Sequence, residues 1–236
     1  MRTRSGFDHE IQQLQDEILE MGSLVEKQIG RSIEALKTLD RDAARRVVDT
    51  DAEVDRMRYQ IEEHAIQLIA TQQPMASDLR TIVAALNVIV DMERMGDHAE
   101  GIAKIALMHE DQPLLKPLID IPRMGEIATS MLHRALDAFV SRDEAAALQV
   151  EDDDDEMDTL YDQIYRELLT YMLNDPRTID RATWLLWVAH NLERIGDRAT
   201  NIAERVVFLT RGRMQDSVVS GTGVHHLHSE QQPAIG

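Results

Sequence analysis

The chain has 236 residues with 43 acidic and 25 basic side chains, a formal net charge of −18. Such a surface is repelled by nucleic-acid phosphates and anionic lipid. The absence of cysteine removes disulfides, thiolate zinc sites and iron–sulfur clusters, so any metal must use carboxylate, imidazole or carbonyl ligands.

Hydrophobic residues make up 43%, enough for a large core, while 11 glycines, 6 prolines and 4% aromatics point to few, long helices and not to strands. Helical periodicity runs through most of the chain. It predicts helices over 7–39, 43–70 and 76–109, with a turn at Asp40-Arg41-Asp42 and a break at Gln72-Gln73-Pro74. Pro113, Pro117 and Pro122 mark a linker. The pattern then restarts: a helix over 124–140, a turn at Ser141-Arg142-Asp143, a helix to 173, a break at Asn174-Asp175-Pro176 and a last helix to 210. Residues 213–236 are polar and small and are expected to be a disordered tail, with His225, His226 and His228 incidental there. No run reaches the ~18 apolar residues of a membrane span. The start, Met1-Arg2-Thr3-Arg4, leads into no apolar signal core. The expectation is a cytoplasmic protein with no membrane insertion and no nucleic-acid partner.

The two halves align. LNVIVDMERMGDHAEGIA at 86–103 matches LWVAHNLERIGDRATNIA at 186–203, an offset of 100. Asp51-x-Glu53-x-Asp55 matches Asp154-x-Glu156-x-Asp158, and Asp40 matches Asp143, at an offset of 103. The simplest architecture is all-α: two tandem antiparallel three-helix bundles, at 7–112 and 118–212.

On a helical wheel, Leu79, Val83, Leu86 and Val90 form one stripe that continues into Glu93 and Asp97; Ile179, Thr183, Leu186 and His190 lead likewise into Glu193 and Asp197. The acids are thus expected at core positions, where carboxylates four apart repel unless a cation compensates. Arginine is one candidate, since Arg94 lies three before Asp97. Metal is the other. Asp51 and Asp55 begin the second helix, and antiparallel packing brings them to Glu93 and Asp97. The second half offers Asp154, Asp158, Glu193 and Asp197, with the His190 imidazole on the same face. Converging carboxylates make a hard-oxygen site for divalent or ferric ions. Spacing alone leaves metal and salt bridges both open. Gly96 and Gly196, inside the motif, permit close approach of a helix or ligand. The run EDDDDE at 151–156 is expected to be a solvated loop and acidic helix start, the methionines core filler, and Trp184 and Trp187 interior.

The Asp-x-x-x-Asp pairs, the segment Ser77-Asp78-Leu79-Arg80 and the duplicated Glu-Arg-x-Gly-Asp followed by Ile-Ala resemble the PhoU family, accessory proteins of the phosphate-specific transport system. The resemblance spans about residues 11–211. It implies homodimers, and acidic pairs that ligate iron or other cations (zinc, manganese or magnesium) in multinuclear clusters. Carried over, the ligands are Asp51, Asp55, Glu93 and Asp97, and Asp154, Asp158, Glu193 and Asp197; His190 lies outside that pattern. It further implies a negative regulator that links the phosphate ABC transporter, through its ATPase subunit, to the phosphate sensor histidine kinase. The second half departs from the pattern, with Ile179-Asp180-Arg181 in place of Asp-Leu-Arg. A non-enzymatic regulator is expected, because no nucleophile–base pair or phosphate-cradling loop is evident. Two alternatives are a di-iron carboxylate oxidase and a bare helical scaffold. The oxidase class uses Glu-x-x-His, and no Glu here has a His three residues later.

Overall fold

A computed structural model describes residues 4–109 and 112–212. The helices are α1 (Arg4–Thr38), α2 (Arg41–Gln72), α3 (Ser77–Met108), α4 (Asp120–Ser141), α5 (Glu144–Asn174) and α6 (Ile179–Arg211), with one 3₁₀ turn at Pro176–Thr178. No strand occurs among the described residues. The tail expected at 213–236 lies outside them.

Turn chemistry explains the boundaries, and it is duplicated. Leu39 (φ 53°) and Arg142 (φ 55°) take left-handed backbone. The following amides reach back: Asp40 N donates to Ala35 O and Asp143 N to Ala138 O, both at 3.0 Å. The same aspartates then cap the next helix, Asp40 accepting from the Asp42 and Ala43 amides and Asp143 from Ala146. One residue thus closes a helix end through its backbone and opens the next through its side chain. Helix α4 starts earlier than expected, at Asp120. Pro122 falls in its first turn, where the missing N–H has no intrahelical acceptor anyway, so it belongs to the helix and not to the linker.

Helices α1, α3, α4 and α6 form an inner layer of mutual contacts. Helix α2 lies outside on α1 and α3, and α5 outside on α4 and α6. The two three-helix bundles therefore share one continuous apolar core. A pseudo-two-fold relates them. At the α1–α4 crossing, a Cβ added at Gly22 would stand 2.2 Å from Leu136 Cδ1, and one at Gly125 2.0 Å from Ile33 Cδ1. These are the same contact under the 103-residue offset. Met21, Met92, Met95, Met124, Met131 and Met157 fill the core as expected.

Three expectations fail here. The stripe of Leu79, Val83 and Val90 is not core: these residues are 38%, 40% and 39% exposed, and Ile179 and His190 are exposed as well. Helix α3 packs against α1, α2 and α6 at once, burying Ile82, Ala85, Ile89, Met92 and Ala99, and the stripe occupies the sector left open. The run at 151–156 is not a loop but lies within α5, where Asp153 pairs with Arg134 and Glu156 with Arg123. Trp187 is not interior, being 48% exposed, while Trp184 is half-buried against the buried His109 ring.

Candidate metal centres

The open face of α3 and α6 carries two acid quartets. In the first, α2 brings Asp51 and Asp55 beside Glu93 and Asp97 of α3. Burial first, then the charges of Glu100, Asp97 and Asp55, push the Asp51 carboxyl up to about 6; Lys104 opposes them. Burial and Asp97 also raise Glu93, against Arg94 and Arg58. Gly96 lets α2 come this close, since a Cβ there would stand 3.3 Å from Asp51 Oδ1.

The second quartet repeats the arrangement with less positive charge. Burial, Asp158 and Asp197 push Asp154 up to about 6. Burial and Asp197 push Glu193 up to about 7, against Arg194. Asp154 Oδ1 lies 3.6 Å from the point where a Gly196 Cβ would stand. His190 Nδ1 is 3.6 Å from Glu193 Oε2, and its ring lies 6.3 Å from that of Tyr161. Burial and the cationic Arg194 hold His190 below the usual imidazole range, so it is neutral and available as a donor at physiological pH.

Arginine occupies part of each quartet. Arg94 lies 3.4 Å from Glu93 through Nε and 3.0 Å from Asp97 through Nη1; the Arg194 distances to Glu193 and Asp197 are 3.2 and 2.8 Å. Both arginines are about half exposed and able to turn outward. Among the described residues, no three His, Asp or Glu side chains are gathered as a ready coordination shell. The sequence-predicted acids share a face, and in each half an arginine spans the Glu–Asp pair.

A polar seam between α3 and α6 was not foreseen. His98 Nδ1 meets Asn191 Oδ1 at 2.9 Å, while buried Asp91 meets Arg198 and Asn201, each at 3.4 Å. These contacts run the two helices antiparallel. Asp91 aligns with Asn191 and His98 with Arg198, so one seam contact exists as an ionic and a neutral version. That paired change between the repeats was the signal available in the sequence.

The family model described as PhoU domain matches twice, at residues 18–106 and 121–206, and each match contains one whole quartet. The phosphate-specific transport system accessory protein PhoU homolog of Caulobacter vibrioides is 44% identical over 211 residues, covering 89% of this chain and 92% of its own. The Edwardsiella tarda phosphate-specific transport system accessory protein PhoU is 38% identical, covering 89% and 87%. The crystal structure of PhoU from Pseudomonas aeruginosa superposes with a TM-score of 0.83 at 38% identity, over 88% of this chain and all of that one. The phosphate transport system regulatory protein PhoU from Streptococcus pneumoniae gives 0.83 at 30% identity, over 89% and 99%. The chain belongs to the PhoU family.

Proposed function

We propose that this protein is a cytoplasmic accessory regulator of phosphate transport, and that divalent or ferric cations held at the two acid quartets belong to that role. In this reading it lowers phosphate-regulon expression and restrains uptake, linking the ATPase subunit of the phosphate ABC transporter to a sensor histidine kinase, and acts as a homodimer. The observation that carries it is the in-register duplication: each of the two family-model matches encloses one acid quartet of this chain, and the relatives the chain resembles are named as accessory or regulatory proteins of phosphate transport. The net charge of −18 suits basic patches on partners. No helix of the described residues is long and apolar enough to cross a membrane. The reading assigns the chain no catalytic step.

The donor set fits hard cations. Both quartets are all-oxygen at their centre, and each holds one aspartate raised to about 6 by burial and by neighbouring carboxylates. A bound cation would supply the positive charge that the neighbouring basic side chains supply incompletely. The functional test is deletion in the native host at high phosphate, reading alkaline phosphatase. Raised output is expected, and unchanged output removes the phosphate-signalling assignment. The metal test is elemental analysis of protein purified without chelator or His-tag. Glu93→Ala with Glu193→Ala should strip the metal and lower thermal stability; unchanged content and stability remove the metal.

A further inference from the structure

Gln28, midway along α1, is 1% exposed, yet neither its Oε1 nor its Nε2 has a hydrogen-bond partner. A buried amide without partners is costly and calls for a physical reason. Its position supplies one. Gln28 Oε1 lies 3.3 Å from the point where a Gly96 Cβ would stand, and Asp51 Oδ1 lies 3.3 Å from that same point. The amide and the carboxylate therefore converge over the bare surface of α3, one turn from Glu93 and next to Asp97. The second repeat has no such amide; the buried atom without a hydrogen bond at its quartet is Oε2 of Glu193, a quartet member itself. Its equivalent of Gln28 is Met131, fully buried, and the close neighbours of Gly196 are Met157 and Asp154. The second quartet has His190 where the first has Val90, and Tyr161 where the first has Arg58.

We propose that Gln28 is part of the first cation site: its carbonyl oxygen supplies a neutral donor beside Asp51, making the two quartets chemically distinct. The first is an all-oxygen site for hard cations of the manganese or magnesium kind, while the second offers an imidazole and no amide. This rests on the reading that the quartets hold cations. The amide contributes to one site only, so its loss acts on that site only.

The test titrates chelator-treated full-length protein with MnCl₂, read by calorimetry and by loss of the free-ion electron paramagnetic resonance signal. Glu93→Ala isolates the second site and Glu193→Ala the first. Gln28→Met removes the donor and installs the residue of the second repeat. In the Glu193→Ala background it should weaken Mn²⁺ binding about tenfold, as loss of a ligand or its support does. In the Glu93→Ala background it should change nothing. The metal-free Gln28→Met protein should melt at the wild-type temperature or above, while its gain on adding Mn²⁺ shrinks. Gln28→Glu keeps the oxygen and should bind at least as tightly as wild type. If Gln28→Met leaves first-site affinity intact, or Gln28→Glu weakens it equally, Gln28 is a packing residue and the proposal fails. If neither Glu93→Ala nor Glu193→Ala alters Mn²⁺ binding, the quartets themselves are not cation sites, and both readings fall.

Discussion

The Asp51 carboxylate lies closer to Gly96 than its repeat counterpart Asp154 does to Gly196. An added Cβ would stand 3.3 Å from Oδ1 in the first case and 3.6 Å in the second. At Gly96 that Cβ would also meet Gln28 Oε1 and Val54 Cγ1 at 3.3 Å, so three neighbours must give way. At Gly196 the nearest atom, Met157 Cγ, is at 3.5 Å, an ordinary contact. Alanine in place of a mid-helix glycine stabilises by about 1 kcal/mol when nothing obstructs it. Gly196→Ala should therefore raise the free energy of unfolding by about 0.5–1 kcal/mol. Gly96→Ala should gain nothing or lose stability, because crowding offsets the propensity. Urea unfolding of both variants decides this, and equal gains would show that α2 is not held against α3 at Gly96.

Stability should fall as pH rises through neutrality in metal-free protein. Asp51 and Asp154 titrate at about 6 against an ordinary 3.8, and Glu193 at about 7 against 4.5, with burial the largest cause in each. A raised carboxyl pKa means the folded state holds the proton more firmly than the unfolded chain. Between the two values the folded state binds more protons, and stability declines with pH. This contribution is complete below about 4 and is lost between there and about 7. Glu144 and Asp175, held low by hydrogen bonds from Arg211 and Arg177, act in the opposite sense in the more acid range, and His98, His109 and His190, held below the usual imidazole range by burial, oppose the decline up to about pH 6.5. In chelator, the melting temperature should drop from about pH 6.5 to about pH 8, above the range in which the histidines titrate. Excess Mn²⁺ should flatten the drop, because a bound cation takes the place of the protons. A melting temperature that rises over this range in chelator contradicts the raised carboxyls.

The α3–α6 seam predicts a rescue. Asp91 with Arg198 and Asn191 with His98 are two versions of one contact. Arg198→His alone leaves the buried Asp91 carboxyl without its guanidinium and should cost about 1–3 kcal/mol at pH 8. Asp91→Asn together with Arg198→His makes both ends of the seam Asn–His pairs, and the double variant should recover most of that loss. A double-mutant cycle by chemical denaturation reads the coupling, expected within about 0.5–3 kcal/mol for residues in contact. Additive effects would show that the seam is not a unit.

Much of this fold was legible in the chain because its turns are specified locally. Asp40 and Asp143 mark helix starts by their chemistry, and the 100- and 103-residue offsets tie each motif helix to its Asp-x-x-x-Asp partner. What stayed hidden was the outward face of α3. Small and apolar residues surround that helix because three neighbours cover it, so no single stripe in its periodicity identifies the core. Leu79, Val83 and Val90 read as interior and stand on the open sector. Glu93 and Asp97 accordingly sit at the core margin, where arginine can reach them from solvent. Gln28 was equally hidden, since a glutamine on a charged amphipathic helix gives no sign of burial until Gly96 and Asp51 are placed against it.

Arg94 and Arg194 should compete with metal. Each guanidinium spans a Glu–Asp pair four residues apart, with Arg94 Nη1 3.0 Å from Asp97 and Arg194 Nη1 2.8 Å from Asp197. A cation seated between those carboxylates needs the same oxygens. These are partly exposed ion pairs worth at most about 1 kcal/mol, so removing one frees the carboxylates at little cost to the fold. Arg94→Ala should therefore strengthen Mn²⁺ binding at the first quartet by about two- to fivefold, the factor that this ion-pair energy allows. Metal-free stability should drop by less than about 1 kcal/mol. Calorimetric titration in the Glu193→Ala background isolates the effect. Weaker Mn²⁺ binding after Arg94→Ala would mean that the guanidinium assists the cation and does not stand in for it.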